Sequence, residues 1–205
     1  MIRTKICGIT RLKDALFSVG CGVDALGFNF YKKSPRYVSP NKAYSIISQL
    51  PPFVSSVGLF VNEDYDEILK ISDMCGIRTI QLHGDESPDF CGKFDSYRVI
   101  KAFRIKDESD LENIKKYDLS GYILDSFSPD LYGGTGLSFD WGLLDKIDFD
   151  GNIIVAGGIN PDNIERLLRS VVPYGVDICS GVESSPGVKD DKLLKEIMSK
   201  IMSMR

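Results

Sequence analysis

Histidine is almost missing from this chain. There is one among 205 residues, which excludes a histidine-rich metal centre. Cysteine lacks pattern: the five, at positions 7, 21, 75, 91 and 179, are odd in number and none stands in C-x-x-C spacing. That argues against a disulfide framework or a zinc site and for a reduced, cytoplasmic chain. Positive charge is in deficit, 25 Lys and Arg against 29 Asp and Glu, for a net charge of −4. A nucleic-acid or anionic-membrane surface is therefore not expected, although a local basic site could still hold an anionic small molecule. No apolar run is long enough to span a bilayer. The opening Met1-Ile2-Arg3-Thr4-Lys5-Ile6-Cys7-Gly8 carries no signal-peptide apolar block. Low-complexity segments and domain linkers are also missing. With 43% hydrophobic and 26% charged residues, the chain has an ordinary globular balance. One domain over residues 1–205 with a sizeable core is expected, and monomer and homodimer stay equally open.

What is present is organised around Ile153-Ile154-Val155-Ala156-Gly157-Gly158-Ile159-Asn160-Pro161. The apolar, β-branched run reads as a parallel strand buried on both faces. Gly157 and Gly158 permit backbone angles and a close ligand approach that a side chain would block. Asn160 suits an N-cap and Pro161 the first helical position. Ile164, Leu167, Leu168 and Val171 then share one helix face. Backbone N–H groups converging at such a turn form an anion site, most commonly for phosphate. The same residues also fit a plain strand-to-helix turn that needs two glycines.

Seven further strand-like runs occupy residues 2–7, 24–30, 54–61, 78–82, 97–103, 121–125 and 176–179. Helical patterns separate them. Thr10 is expected to cap a helix with Leu12, Ala15, Leu16 and Val19 on one face. Ser39-Pro40 opens another over Ala43, Ile46, Ile47 and Leu50. Residues 63–75 form a third, stopped by Gly76, and Ser87-Pro88 opens a short piece. Modest helices follow at 108–116 and near 140–144, and the last has Leu193, Leu194, Ile197, Met198 and Ile201 on its buried face. Eight strand–helix units predict an α/β protein, a single (β/α)₈ TIM barrel. The runner-up is an open doubly wound sheet. The first strand lacks a GxGxxG fingerprint, so a dinucleotide site has little support.

In such a barrel the catalytic face lies at the C-terminal ends of the strands. The polar or glycine positions there are Cys7, Arg36, Gln81, His83, Asp125, Gly157-Gly158 and Ser180-Gly181. Loops seven and eight are the usual phosphate site of the fold. Each side chain also has a plainer reading. Cys7 could be a small buried hydrophobe, and would need cationic or N–H neighbours to become a thiolate. Asp125 could merely cap a loop, yet the apolar run before it favours keeping a proton available. Arg36 is either a surface charge or a fork for a carboxylate. His83 reads first as a hydrogen-bonded structural residue. Gly133-Gly134-Thr135-Gly136 is too short for a P-loop and reads as a loop beside the site.

Taken together, these residues resemble phosphoribosylanthranilate isomerase. The resemblance rests on Lys5-Ile6-Cys7-Gly8-Ile9-Thr10, Ser34-Pro35-Arg36, Gln81-Leu82-His83-Gly84, Leu124-Asp125-Ser126, Gly133-Gly134-Thr135-Gly136 with Phe139-Asp140-Trp141, Ala156-Gly157-Gly158-Ile159, Ser180-Gly181-Val182-Glu183 and Pro186-Gly187-Val188-Lys189-Asp190, in the family's order. It implies an Amadori rearrangement in tryptophan biosynthesis, of a small phosphorylated substrate, without metal or organic cofactor. By position it implies Asp125 as general acid and Cys7 as general base. Arg36 would hold the anthranilate carboxylate, and the loops with Gly157, Gly158, Ser180 and Gly181 the phosphate; Gln81 and His83 would also face the substrate. Cys179 departs from the family, which usually has a small hydroxyl or amide residue there, and its place beside the phosphate loop bears on affinity more than on activity. Two other readings are a bifunctional sugar isomerase also serving histidine biosynthesis and a non-catalytic sugar-phosphate-binding barrel. The first would use two aspartates, against Cys7. The second would not need Cys7 and Asp125 together.

Overall fold

The computed structural model describes residues 2–126 and 151–204, in which eight parallel strands close into a barrel in sequential order. They are β1 (Arg3–Ile6), β2 (Ala25–Asn29), β3 (Ser55–Phe60), β4 (Thr79–Leu82), β5 (Arg98–Ile105), β6 (Gly121–Ser126), β7 (Ile153–Val155) and β8 (Gly175–Ile178). β8 closes the ring on β1, with Lys5 opposite Asp177 and Ile6 opposite Ile178. The helices described are α1 (Leu12–Gly20), α2 (Pro40–Ile47), α3 (Tyr65–Cys75), α4 (Pro88–Cys91), α5 (Glu108–Ile114), α6 (Ile164–Ser170) and α7 (Asp191–Ser203). The helix expected near 140–144, the Gly133–Gly136 loop and Phe139-Asp140-Trp141 lie outside the described residues.

The two-residue period of a strand divides this barrel into an outer core and an inner site. Ile6, Leu26, Phe28, Ile80, Leu82, Leu124, Val155 and Ile178 face outward into one buried layer against the helices. Their neighbours face inward. Ala102, Ile123, Ile154 and Ala156 form one small apolar cluster, and Cys7, Leu59 and Val61 another. Every chemical residue of the strands therefore sits one step from a residue that holds the fold.

The local signals mostly behave as read. Ser39 caps α2 by accepting from the Lys42 N–H, with Pro40 in the first turn. Gly76 stops α3 in the left-handed region at φ 68°. The last helix buries Leu194, Ile197, Met198 and Ile201.

Four details differ. Thr10 does not cap α1: its hydroxyl donates to the Gly187 carbonyl, and Arg11 takes the cap position without a side-chain capping hydrogen bond. Leu16 is 44% exposed, because α1 turns Asp14, Ala15 and Ser18 inward. Asp14 is buried by its fork to Arg11 and by accepting from the Lys189 N–H. Finally, α6 starts at Ile164 instead of Pro161. Asn160 closes a local turn, with its Oδ1 accepting from the Asp162 N–H, while Asn163 Oδ1 accepts from the Asn160 N–H. The segment after β8, read as a loop, is a 3₁₀ turn (Ser180–Val182) and a hairpin of β9 (Glu183–Ser185) and β10 (Val188–Lys189), turned through Gly187 at φ 78°.

Candidate active site

A cavity of about 270 Å³ opens at the C-terminal ends of the strands. Of the residues singled out in the sequence, Cys7, Arg36, Gln81, His83, Asp125, Gly157, Gly158 and Ser180 line it. Gly181 does not. A Cβ there would run into the Ile159 carbonyl oxygen, so this glycine lets loops seven and eight pack together. A larger depression of about 720 Å³ lies on the rim of β4 and β5, lined by Lys101, Arg104 and Tyr117 among others. None of the singled-out residues reaches it, and the mouth cavity is where the reactive groups converge.

Cys7 directly follows β1 and is buried at 6% exposure. Lys5, two residues earlier and so on the same inward face, forms a buried ion pair with Asp177 at 2.7 Å. Lys189 Nζ donates to the Cys7 carbonyl at 2.6 Å. A hydrogen bond from the Cys179 side chain holds the Cys7 thiol well below the usual thiol range against the cost of burial, and the Lys5 and Lys189 ammonium groups add to it. Burial pulls the Lys5 ammonium down, but Asp177 and Cys7 outweigh it and hold it above the ordinary lysine value. Burial pushes Asp177 up to about 6, partly offset by Lys5. Gly27 makes this crowding possible, since a Cβ there would stand 2.9 Å from Cys7 Sγ and 3.1 Å from Lys5 Cε.

Asp125 reaches the mouth from β6 and is 4% exposed. His83 Nε2 lies 3.3 Å from Asp125 Oδ2. Gln81 Nε2 donates to His83 Nδ1 at 3.0 Å, which leaves the proton of a neutral ring on Nε2, beside the carboxylate. The single histidine thus stands beside Asp125, its Nε2 buried without a hydrogen bond among the described residues. Gln81 Oε1 is buried with no hydrogen-bond partner among the described residues, an acceptor left over in the cavity wall.

Arg36 is held from behind. Its Nε lies 3.1 and 3.0 Å from the two Glu183 oxygens and its Nη2 donates to Oε2 at 2.8 Å, while Nη1 makes no hydrogen bond among the described residues. Glu183 also accepts from Lys189 Nζ at 2.8 Å and the Gly187 N–H at 3.2 Å. The hairpin therefore fixes the guanidinium plane and leaves one edge for a ligand. Gly157 and Gly158 adopt φ 82° and 63°, conformations a side chain would strain. Their N–H groups donate to no acceptor among the described residues, whereas the Gly158 carbonyl is tied down by Asn160 and Asn163.

Sequence reasoning missed the supporting charges. Lys5, Glu183 and Lys189 stood inside quoted motifs but had no role there, and Asp177 was unnoticed inside a strand. A signal did exist: charged residues at inward positions of strands are costly unless paired, and the period of two places Lys5 and Asp177 inward.

A family model described as N-(5'phosphoribosyl)anthranilate (PRA) isomerase matches residues 4–200. The N-(5'-phosphoribosyl)anthranilate isomerase of Pelobacter propionicus is 50% identical over 97% of this chain and 94% of its own. The crystal structure of phosphoribosyl anthranilate isomerase from Thermotoga maritima superposes with a TM-score of 0.89 at 40% identity, covering 99% of this chain and all of the other. A phosphoribosyl anthranilate isomerase solved in complex with reduced 1-(o-carboxyphenylamino)-1-deoxyribulose 5-phosphate gives a TM-score of 0.86 at 39% identity, covering 99% of this chain and 100% of that one. A barrel with a buried thiol, a buried carboxylate and two glycine-bearing loops at one mouth, matched along its whole length by these proteins, belongs to the N-(5'-phosphoribosyl)anthranilate isomerase family.

Proposed function

We propose that the mouth cavity isomerises N-(5-phosphoribosyl)anthranilate to 1-(2-carboxyphenylamino)-1-deoxyribulose 5-phosphate, an aldose-to-ketose step of tryptophan biosynthesis, with Asp125 as acid and Cys7 as base. Asp125 gives its proton to the furanose ring oxygen as the C1–O bond breaks and the anilino nitrogen lone pair forms a Schiff base. The Cys7 thiolate removes the C2 proton, and the electrons return to nitrogen to give an enolamine. Transfer of the enol proton to C1 yields the ketone. Arg36 takes the anthranilate carboxylate on its Nη1 edge. The phosphate is held by the N–H groups of Gly157 and Gly158 and by the loop of Ser180 and Gly181.

The observation that carries this reading is one cavity holding a thiol depressed towards the anion and, across the mouth on β6, a carboxylate beside a histidine. A phosphate-binding barrel without activity would not need both. The five free cysteines support a reducing, cytoplasmic location. No helix of the described residues is long and apolar enough to cross a membrane. The test is to supply freshly made phosphoribosyl anthranilate to the purified protein and follow its disappearance, with inorganic phosphate as a competitive inhibitor. No turnover would overturn the proposal, and turnover untouched by high phosphate would overturn the phosphate assignment.

A further inference from the structure

The rearrangement proposed above uses Cys7 and gives its neighbour Cys179 no task. Strand register makes them neighbours. Ile6 of β1 stands opposite Ile178 of β8, and the Cys7 N–H donates to the Ile178 carbonyl at 2.9 Å. The next residue after each strand turns inward, so both side chains line the same cavity and Cys179 packs against the small cluster that contains Cys7. We propose that Cys179 is a positioning residue whose S–H donates to the Cys7 sulfur and holds it as the thiolate. Cys7 gives its proton to solvent, Cys179 keeps its own, and no other bond changes.

The surrounding charges decide which sulfur is the anion. Lys5 on β1 and Lys189 on β10 flank Cys7, and Arg36 and Asp177 are further charged groups near it among the described residues. Lys189 Nζ sits closer to the Cys7 carbonyl, at 2.6 Å, than to the Cys179 carbonyl, at 3.2 Å. Glu183 Oε1 accepts a long hydrogen bond from the Cys179 thiol at 4.0 Å, so a proton on Cys179 avoids setting two anions side by side. The hydrogen bond to Cys7, together with burial, pushes the Cys179 thiol well above the usual range. A donor to the charged form of Cys7 and a proton that stays in place are the same arrangement seen from its two ends.

The inference rests on Cys7 being the base, and the experiment separates the two. The rate of iodoacetamide alkylation at Cys7, read by mass spectrometry of its peptide across pH, reports the thiolate without any isomerase assay. In Cys179→Ala its ascending limb should move up by about one pH unit, the scale of one hydrogen bond to an anion. Cys179→Ser keeps a donor and should stay near the wild type, and the ascending limb of kcat/KM should move in step in each variant. If Cys179→Ala fails to fold, Cys179→Val against Cys179→Thr makes the same comparison at nearly constant size. An alanine (or valine) profile that overlays the wild type, or a serine (or threonine) profile displaced as far, overturns the proposal. An alkylation limb that moves while kcat/KM does not upholds the bond between the thiols and overturns Cys7 as base.

Discussion

Cys7 can act as a base only while its sulfur is charged near neutral pH, and Asp125 as an acid only while it holds a proton. Cations and a thiol donor surround Cys7, and the His83 ring stands beside Asp125. Asp125→Asn keeps the size and the contact with His83 but cannot give a proton. It should fold and bind product as the wild type does, while kcat falls about 10²- to 10⁴-fold; steady-state kinetics beside a binding titration checks this, and a near wild-type rate would remove Asp125 from the chemistry. The pH profile follows from the sign of the thiol shift. A Cys7 pKa lowered below the ordinary thiol value of about 8.5 places the ascending limb of kcat/KM below that value, with activity lost as pH falls through it. A limb at or above the ordinary value would show an unassisted thiol.

At the scale of elements, loop seven and the hairpin after β8 make separate predictions. Gly158 sits at φ 63° with its N–H towards no acceptor among the described residues. Gly158→Val should raise KM for the phosphorylated substrate strongly, because a branched side chain strains the turn and fills the approach of the phosphate. An unchanged KM would move the phosphate elsewhere. Glu183 binds two nearly buried cations, Arg36 and Lys189, at 2.8 Å each. Glu183→Gln leaves them facing a neutral amide, which should cost about 3–5 kcal/mol in urea denaturation and raise KM as the Arg36 plane loosens. The contrast between the two elements also shows what a sequence makes legible. Loop seven was readable because strand, double glycine and apolar helix face are local signals, although the helix starts three residues later than its asparagine and proline suggested. The hairpin was not. Glu183 matters because it meets Arg36, 147 residues away in the chain, and no periodicity reports such a pairing. Thr10 illustrates the same point, its hydroxyl claimed by Gly187 instead of the helix it precedes.

Across the whole molecule, stability and chemistry occupy opposite faces of the same strands. Ile6 points outward, fully buried in the layer shared with the helices, while Cys7, the next residue, points into the mouth. The strand alternation that made the barrel readable from eight runs also keeps the two roles apart. Ile6→Ala should cost about 2–5 kcal/mol of stability, and the protein that remains folded should keep its kcat. Cys7→Ser should do the reverse. The change removes one sulfur and retains a small hydroxyl, but a serine hydroxyl is far too weak an acid to supply an anion near neutral pH. The most direct measurement is steady-state isomerase kinetics of purified Cys7→Ser beside its thermal melt. A melt close to wild type and turnover lost by orders of magnitude are expected. Full activity with an unchanged melt would contradict Cys7 as the base.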